Sequence, residues 1–321
     1  MIIITIISII IFSGCSKKGS SNGEVDKPTG DTHYTSALIE KNNNIYIYDD
    51  NYTDLEPIGD LTRLKEFTTL SDDWKNIAFK YIDDKDKINI YNLESREYKI
   101  LEIDNSNSGE ISDIQWIDNL IIIGLYKNPT TTKYLVYNAE NFELVNSCEG
   151  ILIDVFDGGK TLVYGANNQG STSIYVNDKK VYTLEKEGEV LLSGKVASNK
   201  SDIAFITFVF DRETLEQKEY LYEGKLEENE IKEVKIIEKP YEITGDVNYE
   251  GEELRITDVD TYAEVKDDKF VINDLKESNK SLMENTKKLK DILKETFKTE
   301  NIDESLSWPQ LGIYNITWFT R

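Results

Sequence analysis

The residues best equipped for chemistry are carboxylates that come in pairs: Asp72 with Asp73, Asp83 with Asp84 and Asp86 close behind, Asp258 with Asp260, and Asp267 with Asp268. Adjacent carboxylates can hold Ca²⁺ through oxygen ligands, or divide the acid and base roles of glycoside cleavage. Neither chemistry is specifically written here. No Asp-x-Asp-x-Asp-Gly calcium loop occurs, and lysines interleave at 83–87. The pairs therefore read as solvated hairpin turns. His33 is the only histidine, which excludes a multi-histidine zinc site and argues against a histidine-based triad. Nucleophile elbows and glycine-rich phosphate loops are missing as well. GANNQG at 165–170 reads as a loop with Asn and Gly in turn roles. No catalytic, metal-binding or cofactor-binding residue is nominated.

Charge narrows the partners. Lys plus Arg number 37 and Asp plus Glu 60, for a formal net charge of −23. Phosphate binding needs a positive footprint, so nucleic acid is not an expected partner. An anionic lipid surface would repel the body of the protein. Cys15 and Cys148 are the only cysteines. Cys148 reads as a small buried side chain near a strand end.

Cys15 has a different setting. Residues 2–12 are almost wholly apolar and are followed by Ser13, Gly14, Cys15 and a polar stretch. A bilayer span needs about twenty apolar residues, so this shorter run reads as a secretion signal. A cysteine directly after two small residues resembles the lipobox of bacterial lipoproteins. The resemblance implies cleavage before Cys15 and a lipid on the new N-terminal cysteine. On that reading residues 1–14 are the signal and 15–35 a flexible tether, Gly-, Ser- and Lys-containing without an apolar period. Lys17 and Lys18 sit where they would favour phospholipid. An intrachain disulfide is then impossible, and core packing must hold the fold. Ser16 is not the Asp that resembles an inner-membrane retention signal. The expected place is the outer membrane of a Gram-negative cell or the outer leaflet of a Gram-positive one.

The elements that position the remaining residues repeat along the chain. One half of the unit is an alternating strand: IYIYDD at 45–50, INIYNLE at 88–94, YLVYNAE at 134–140, and weaker copies at 173–179 and 219–225. TYAEVKD at 261–267 is a doubtful sixth. Tyr48, Tyr91, Tyr137, Val176 and Tyr222 recur at spacings of 43, 46, 39 and 46. The other half is a polar turn and an apolar strand. Its marks, Ile77, Leu120, Leu162, Ile203 and Leu254, recur at 43, 42, 41 and 51. β-Branched and aromatic residues favour a pleated surface, and a period of two leaves one face wet. Asp157-Gly158-Gly159 and Gly251-Glu252-Glu253 sit where hairpin turns belong. A unit near forty residues with about four strands has the size of a propeller blade.

The turn-and-strand halves, clearest in SDDWKNIAFKYIDDKDKINIYNLESREYKIL at 71–101, resemble the blades of TolB-like and WD40-like extracytoplasmic propellers over roughly 36–264. The resemblance implies an all-β chain: a β-propeller of six blades over 36–321, with the strand-like GIYNITWFTR at 312–321 completing the first blade. A seventh blade follows if 269–273 and the C-terminus form one of their own. A pair of β-sandwiches is the architectural alternative. Trp74 and Trp116 are expected to pack between sheets. One segment breaks the pattern. Ser281 and Glu284 have capping-box form, and Leu282, Leu289, Ile292, Leu293 and Phe297 recur at helical spacing. A helix over about 282–298 is predicted near the closing strand, packed on the rim. The acid- and lysine-rich stretch 226–238 is expected to form a longer hairpin.

Anchor, repeat and chemistry together suggest a membrane-anchored extracytoplasmic binding or scaffold protein. It would contact the membrane through lipid on Cys15 and a protein through propeller loops, with a polysaccharide or peptide as further ligand types. Two other classes stand beside it: a carbohydrate-active lyase or glycosidase with channel-lining carboxylates, and a sensory or regulatory ectodomain.

Overall fold

The computed structural model describes residues 36–49, 55–73, 75–104, 109–128, 131–168, 171–210, 216–257, 261–266, 269–274, 280–297, 310–311 and 314–319. Cys15, His33, Trp74, the tether and the pairs Asp258/Asp260 and Asp267/Asp268 lie outside them.

The chain begins a sheet with β1 (Ser36–Lys41), β2 (Asn44–Asp49) and β3 (Glu56–Ile58). A second sheet follows in chain order: β4 (Lys65–Leu70), β5 (Asn76–Tyr81), β6 (Lys87–Asn92) and β7 (Tyr98–Glu102). Next come β8 (Glu110–Ile117), β9 (Leu120–Asn128), β10 (Thr131–Asn138), β11 (Leu144–Phe156), β12 (Thr161–Asn168), β13 (Ser171–Val176) and β14 (Lys179–Thr183), joined in one seven-stranded sheet. Two four-stranded sheets complete the series. The first is β15 (Val190–Val196), β16 (Asp202–Phe210), β17 (Gln217–Leu226) and β18 (Ile231–Lys239). The second is β19 (Asp246–Glu250), β20 (Glu253–Thr257), β21 (Thr261–Lys266) and β22 (Lys269–Asp274). The helix α1 (Lys280–Phe297) precedes β23 (Gln310–Leu311) and β24 (Tyr314–Phe319). β24 pairs antiparallel with β1, from Ser36 opposite Phe319 to Lys41 opposite Tyr314. The first sheet therefore runs β23-β24-β1-β2-β3 and contains both ends of the described chain.

The seven-stranded sheet is two repeat units that share β11. Up to Gly150 this strand pairs with β10; from Ile151 it pairs with β12. Gly150 has φ +147°, and a Cβ there would lie 2.1 Å from the Gly165 carbonyl oxygen, so only glycine permits the hand-over. Counted this way the described residues form six antiparallel units, and the alternating segments foreseen from sequence, the doubtful 261–267 included, are β2, β6, β10, β13, β17 and β21. Lys269–Asp274 is the fourth strand of the last sheet and supplies no seventh unit.

Successive units pack face to face. Leu38, Ile45, Ile47 and Ile58 of the first sheet meet Leu70, Ile77, Phe79 and Tyr81 of the second. Comparable cores join second to third, third to fourth, fourth to fifth and fifth to sixth. First strands of adjacent units lie side by side, as in β4 with β8, β11 with β15, and β15 with β19. The arrangement is propeller-like. Among the described residues no equivalent core joins the sixth sheet to the first. Units packed on both sides explain a departure from the expected wet face. Ile77, Ala78 and Phe79 on β5, and Ile121, Ile122 and Ile123 on β9, are all buried, so inner strands are apolar on both faces.

Three local expectations need correction. Gly165, Ala166, Asn167 and Asn168 are not loop but the end of β12, paired with β13 from Ile174 to Ser171. Cys148 is interior to the thirteen-residue β11, not near its end. Ser281 lies inside α1, which starts at Lys280, so it does not stand before the helix as a cap. Leu289 and Leu293 of α1 are fully buried, so its apolar stripe is covered within the chain. The turns at Asp157-Gly158-Gly159 and at Gly251 stand as expected, with all four residues at positive φ. The stretch 226–238 is the returning half of a long hairpin, β17 and β18 being 10 and 9 residues against 6 and 5 for β6 and β7.

Candidate functional site: the stapled end

The turns that follow the first strands of the second to fifth units lie at one end of the sheets, and charged side chains tie them together. Asp72, after β4, accepts a hydrogen bond from the Asp118 backbone N–H, after β8, at 2.5 Å. Trp116 Nε1 donates to the Asp118 carbonyl at 3.0 Å and fixes that turn from within. The fourth and fifth units are joined twice. Asp154 of β11 accepts from Lys195 Nζ at 3.1 Å and from the Val196 N–H at 3.0 Å, both on β15. Asp157, in the β11–β12 turn, accepts from Lys200 Nζ at 2.5 Å.

These acids differ in surroundings. Asp154 is buried, and its remaining bond comes from the Val155 N–H at 2.8 Å. A buried carboxylate persists when its lone pairs are filled. Asp157 is exposed, and the Lys200 bond holds its carboxyl below the usual range. Burial pushes the Asp72 carboxyl up. The Asp118 N–H and the Lys195 ammonium oppose that shift, which places Lys195 of the fifth unit within electrostatic reach of the second. Hydrogen bonds thus tie the second unit to the third and the fourth to the fifth at this polar end, the mouth. The carboxylate of Asp118 is exposed there, because the staple uses its backbone.

Of the carboxylate pairs singled out by sequence, Asp72 belongs to the mouth and Asp73 holds its own turn, accepting from Ser71 Oγ at 2.6 Å and the Lys75 N–H at 3.1 Å. Asp83 and Asp84 share the Arg63 guanidinium at 2.7 and 3.0 Å and are surface ion pairs. They are not brought to the mouth. Among the described residues no group of three or more His, Cys, Asp or Glu is placed to hold a metal ion. Burial raises the Cys148 thiol to about 12, so at neutral pH it is almost wholly protonated and reacts slowly.

Sequence reading missed Asp154, Lys195 and Glu189. Asp154 carried a signal, a lone acid inside the apolar run ILIDVF. Glu189 is buried just before β15 and accepts from Thr207 Oγ1 at 2.5 Å and from Tyr222 Oη at 2.9 Å. It ties β15, β16 and β17 into one rigid sheet.

No family model and no curated protein matches the chain. Solved structures with a similar arrangement include Kuenenia stuttgartiensis hydrazine synthase, at 12% identity, 77% of this chain, 80% of that one and TM-score 0.48. TolB from Acinetobacter baumannii gives 12% identity, 78% and 63% coverage, and TM-score 0.42. The β-propeller domain of the Trilobed protease from Pyrococcus furiosus gives 15%, 76% and 80%, and 0.47. The chain spans less than two thirds of the TolB chain. None of these likenesses assigns an activity.

Proposed function

We propose that this chain is a membrane-anchored, extracytoplasmic binding or scaffold protein. Residues 36–321 form a six-bladed β-propeller closed by β24 on β1. Residues 1–14 are a lipoprotein signal, Cys15 carries the lipid, and 16–35 space the body from the membrane. A protein or oligomeric ligand is recognised through the turns at the stapled end. One observation carries the binding assignment: at this end the second unit is fixed to the third by Asp72–Asp118 and the fourth to the fifth by Asp154–Lys195, which preorganises a surface built from separate units. Preorganised loops lose little entropy on binding, and propellers use such faces for recognition. The mouth sets three carboxylates, Asp72, Asp118 and Asp154, against Lys195, so it favours a partner that brings cations or hydrogen-bond donors. Anchoring rests on the lipobox-like residues; no described helix is long and apolar enough to cross a membrane.

The test is one capture experiment on solubilised membranes, with a fatty-acid probe fed to the cells. Wild type should carry the probe and enrich a defined partner. Cys15→Ser should lose the probe and leave the membrane fraction. Asp118→Asn, which keeps the backbone staple and suits the positive φ of that position, should keep its melting temperature and lose most of the partner. Equal labelling of wild type and C15S refutes the anchor. Undiminished capture by D118N refutes the mouth.

A further inference from the structure

A cavity of about 530 Å³ opens where β11 leaves the third unit for the fourth. Lys133 of β10, Ser147 and Cys148 of β11, Tyr164 of β12, Tyr175 of β13 and Asp178 in the next turn line it. Its size lies within the roughly 300–1,000 Å³ of ordinary small-molecule sites.

Its two charged ends differ from those of the mouth. Among the described residues, Lys133 and Asp178 form neither an ion pair nor a side-chain hydrogen bond. Tyr164 and Tyr175 stand directly opposite on paired strands, with rings stacked at 5.4 Å and 15°. Burial, with Asp178 nearby, raises the Tyr164 phenol to about 12, so it remains a neutral donor and acceptor. Glu149, also on the lining, is engaged by Lys127 at 2.5 Å.

We propose that this cavity is a saccharide-binding site for a neutral sugar unit of an oligosaccharide. An ionised carboxylate only accepts hydrogen bonds, an ammonium only donates, and hydroxyls such as those of Ser147 and the tyrosines do both. A run of sugar hydroxyls matches that set, because each both donates and accepts. The C–H face of a pyranose suits a tyrosine wall, where an apolar body meets polar tips. A cationic ligand would face Lys133, an anionic one Asp178, and a wholly apolar one would leave both charges desolvated and unpaired. The cavity needs neither the mouth nor the anchor, so it stands or falls on its own.

Cys148 supplies the readout. Full-length protein in a detergent without a sugar headgroup is titrated with neutral oligomers of hexoses, pentoses and N-acetylhexosamines. Alkylation of Cys148 is followed by peptide mass, which separates it from Cys15. At least one oligomer should slow alkylation several-fold at saturation. Tyr175→Ala should weaken that protection roughly tenfold, and Asp178→Asn by a similar factor, about the weight of one good contact. Tyr175→Phe should stay within about threefold, because it keeps the ring. Melting temperatures identify any variant whose fold is disturbed, and Lys133→Gln provides a further probe of the same wall. The proposal is overturned if no oligomer protects Cys148, if protection survives both Tyr175→Ala and Asp178→Asn, or if a lysine-rich peptide protects better than every saccharide.

Discussion

Asn92 and Asn138 occupy the same place in neighbouring units, and each builds its turn from its own side chain. Asn92 Oδ1 accepts from the Glu94 and Ser95 N–H groups, and Asn138 Oδ1 from those of Glu140 and Asn141. Arg96 and Phe142 then take the same positive φ of 61°; β7 leaves in regular register, and β11 leaves with a bulge opposite Val136 and Tyr137. The first sheet depends on a distant pairing as well. It pairs β1 with β24, residues 36–41 with 314–319, across almost the whole described chain. The contrast teaches where register comes from. The second and third units are set by turns of six residues that fold locally, whereas the first sheet is completed only when the last strand arrives.

The sharpest way to break this contrast is to remove the late strand. Deleting residues 312–321 takes β24 from between β23 and β1, and leaves the β1 edge unpaired beside the fully buried Ala37 and Ile39. At about 25 cal/mol per Å² of apolar surface, exposing a strip of two or three side chains costs several kcal/mol, comparable to the stability of a typical domain. The deletion should aggregate or melt far below the full chain in a thermal scan. Removing 16–30 should leave melting unchanged, because those residues lie outside the proposed propeller. If the C-terminal deletion melts like the full chain, β24 adds nothing to the first sheet and the proposed closure fails.

A second, smaller effect tests the local side. Asn138→Ala removes two side-chain to backbone hydrogen bonds and leaves two turn N–H groups to water. It should cost about 1–2 kcal/mol, and Asn92→Ala about the same. Matching losses in chemical denaturation would show that the two units are energetic copies as well as geometric ones. A loss confined to one of them would show that neighbouring packing, not the turn, sets its register.

These turns are also what was legible in the sequence. Asn-Leu-Glu and Asn-Ala-Glu at the ends of β6 and β10 repeat because each turn needs an acceptor at that position. Local necessity leaves a local signature. The staples leave none, since Asp154 and Val196 stand 42 residues apart and no spacing rule links them. GANNQG misled for a related reason. Its composition favours a turn, but Gly165 sits where a Cβ would lie 2.4 Å from Leu191 Cδ2 of the fifth unit, so its glycine answers to packing. Ser281 misled within one turn of helix, where a capping pattern fixes the existence of α1 better than its first residue. The carboxylate pairs were legible as turns at Asp73 and Asp83, while the Arg63 ion pair of Asp83 and the mouth around Asp72 required the fold.

The smallest effect concerns a position fixed by neither kind of contact. Asp113 of β8, Gly124 of β9 and Tyr134 of β10 lie in one row across the third unit. Gly124 leaves room there; a Cβ on it would lie 3.2 Å from that of Asp113. Burial raises the Asp113 carboxyl above its ordinary 3.8, against bonds from Gln115 Nε2 at 2.6 Å and the Ile114 N–H. The folded state therefore holds this proton more tightly than the unfolded chain does. As pH climbs from the unfolded value through the folded one, ionising Asp113 subtracts from stability. Asp157 and Asp202 act in the opposite sense. Bonds from Lys200 and Lys225 lower their carboxyls, so their contribution is lost as pH falls through the folded values. Asp113→Asn keeps those surface pairs and removes only the buried titration. The variant should gain on wild type between about pH 4 and pH 7, by on the order of 1 kcal/mol, the size of an ordinary point substitution. Thermal melts of both proteins across that range measure the gap directly. A gap that stays constant with pH would mean that Asp113 titrates as it does in the unfolded chain, and that the row through Gly124 is open to water.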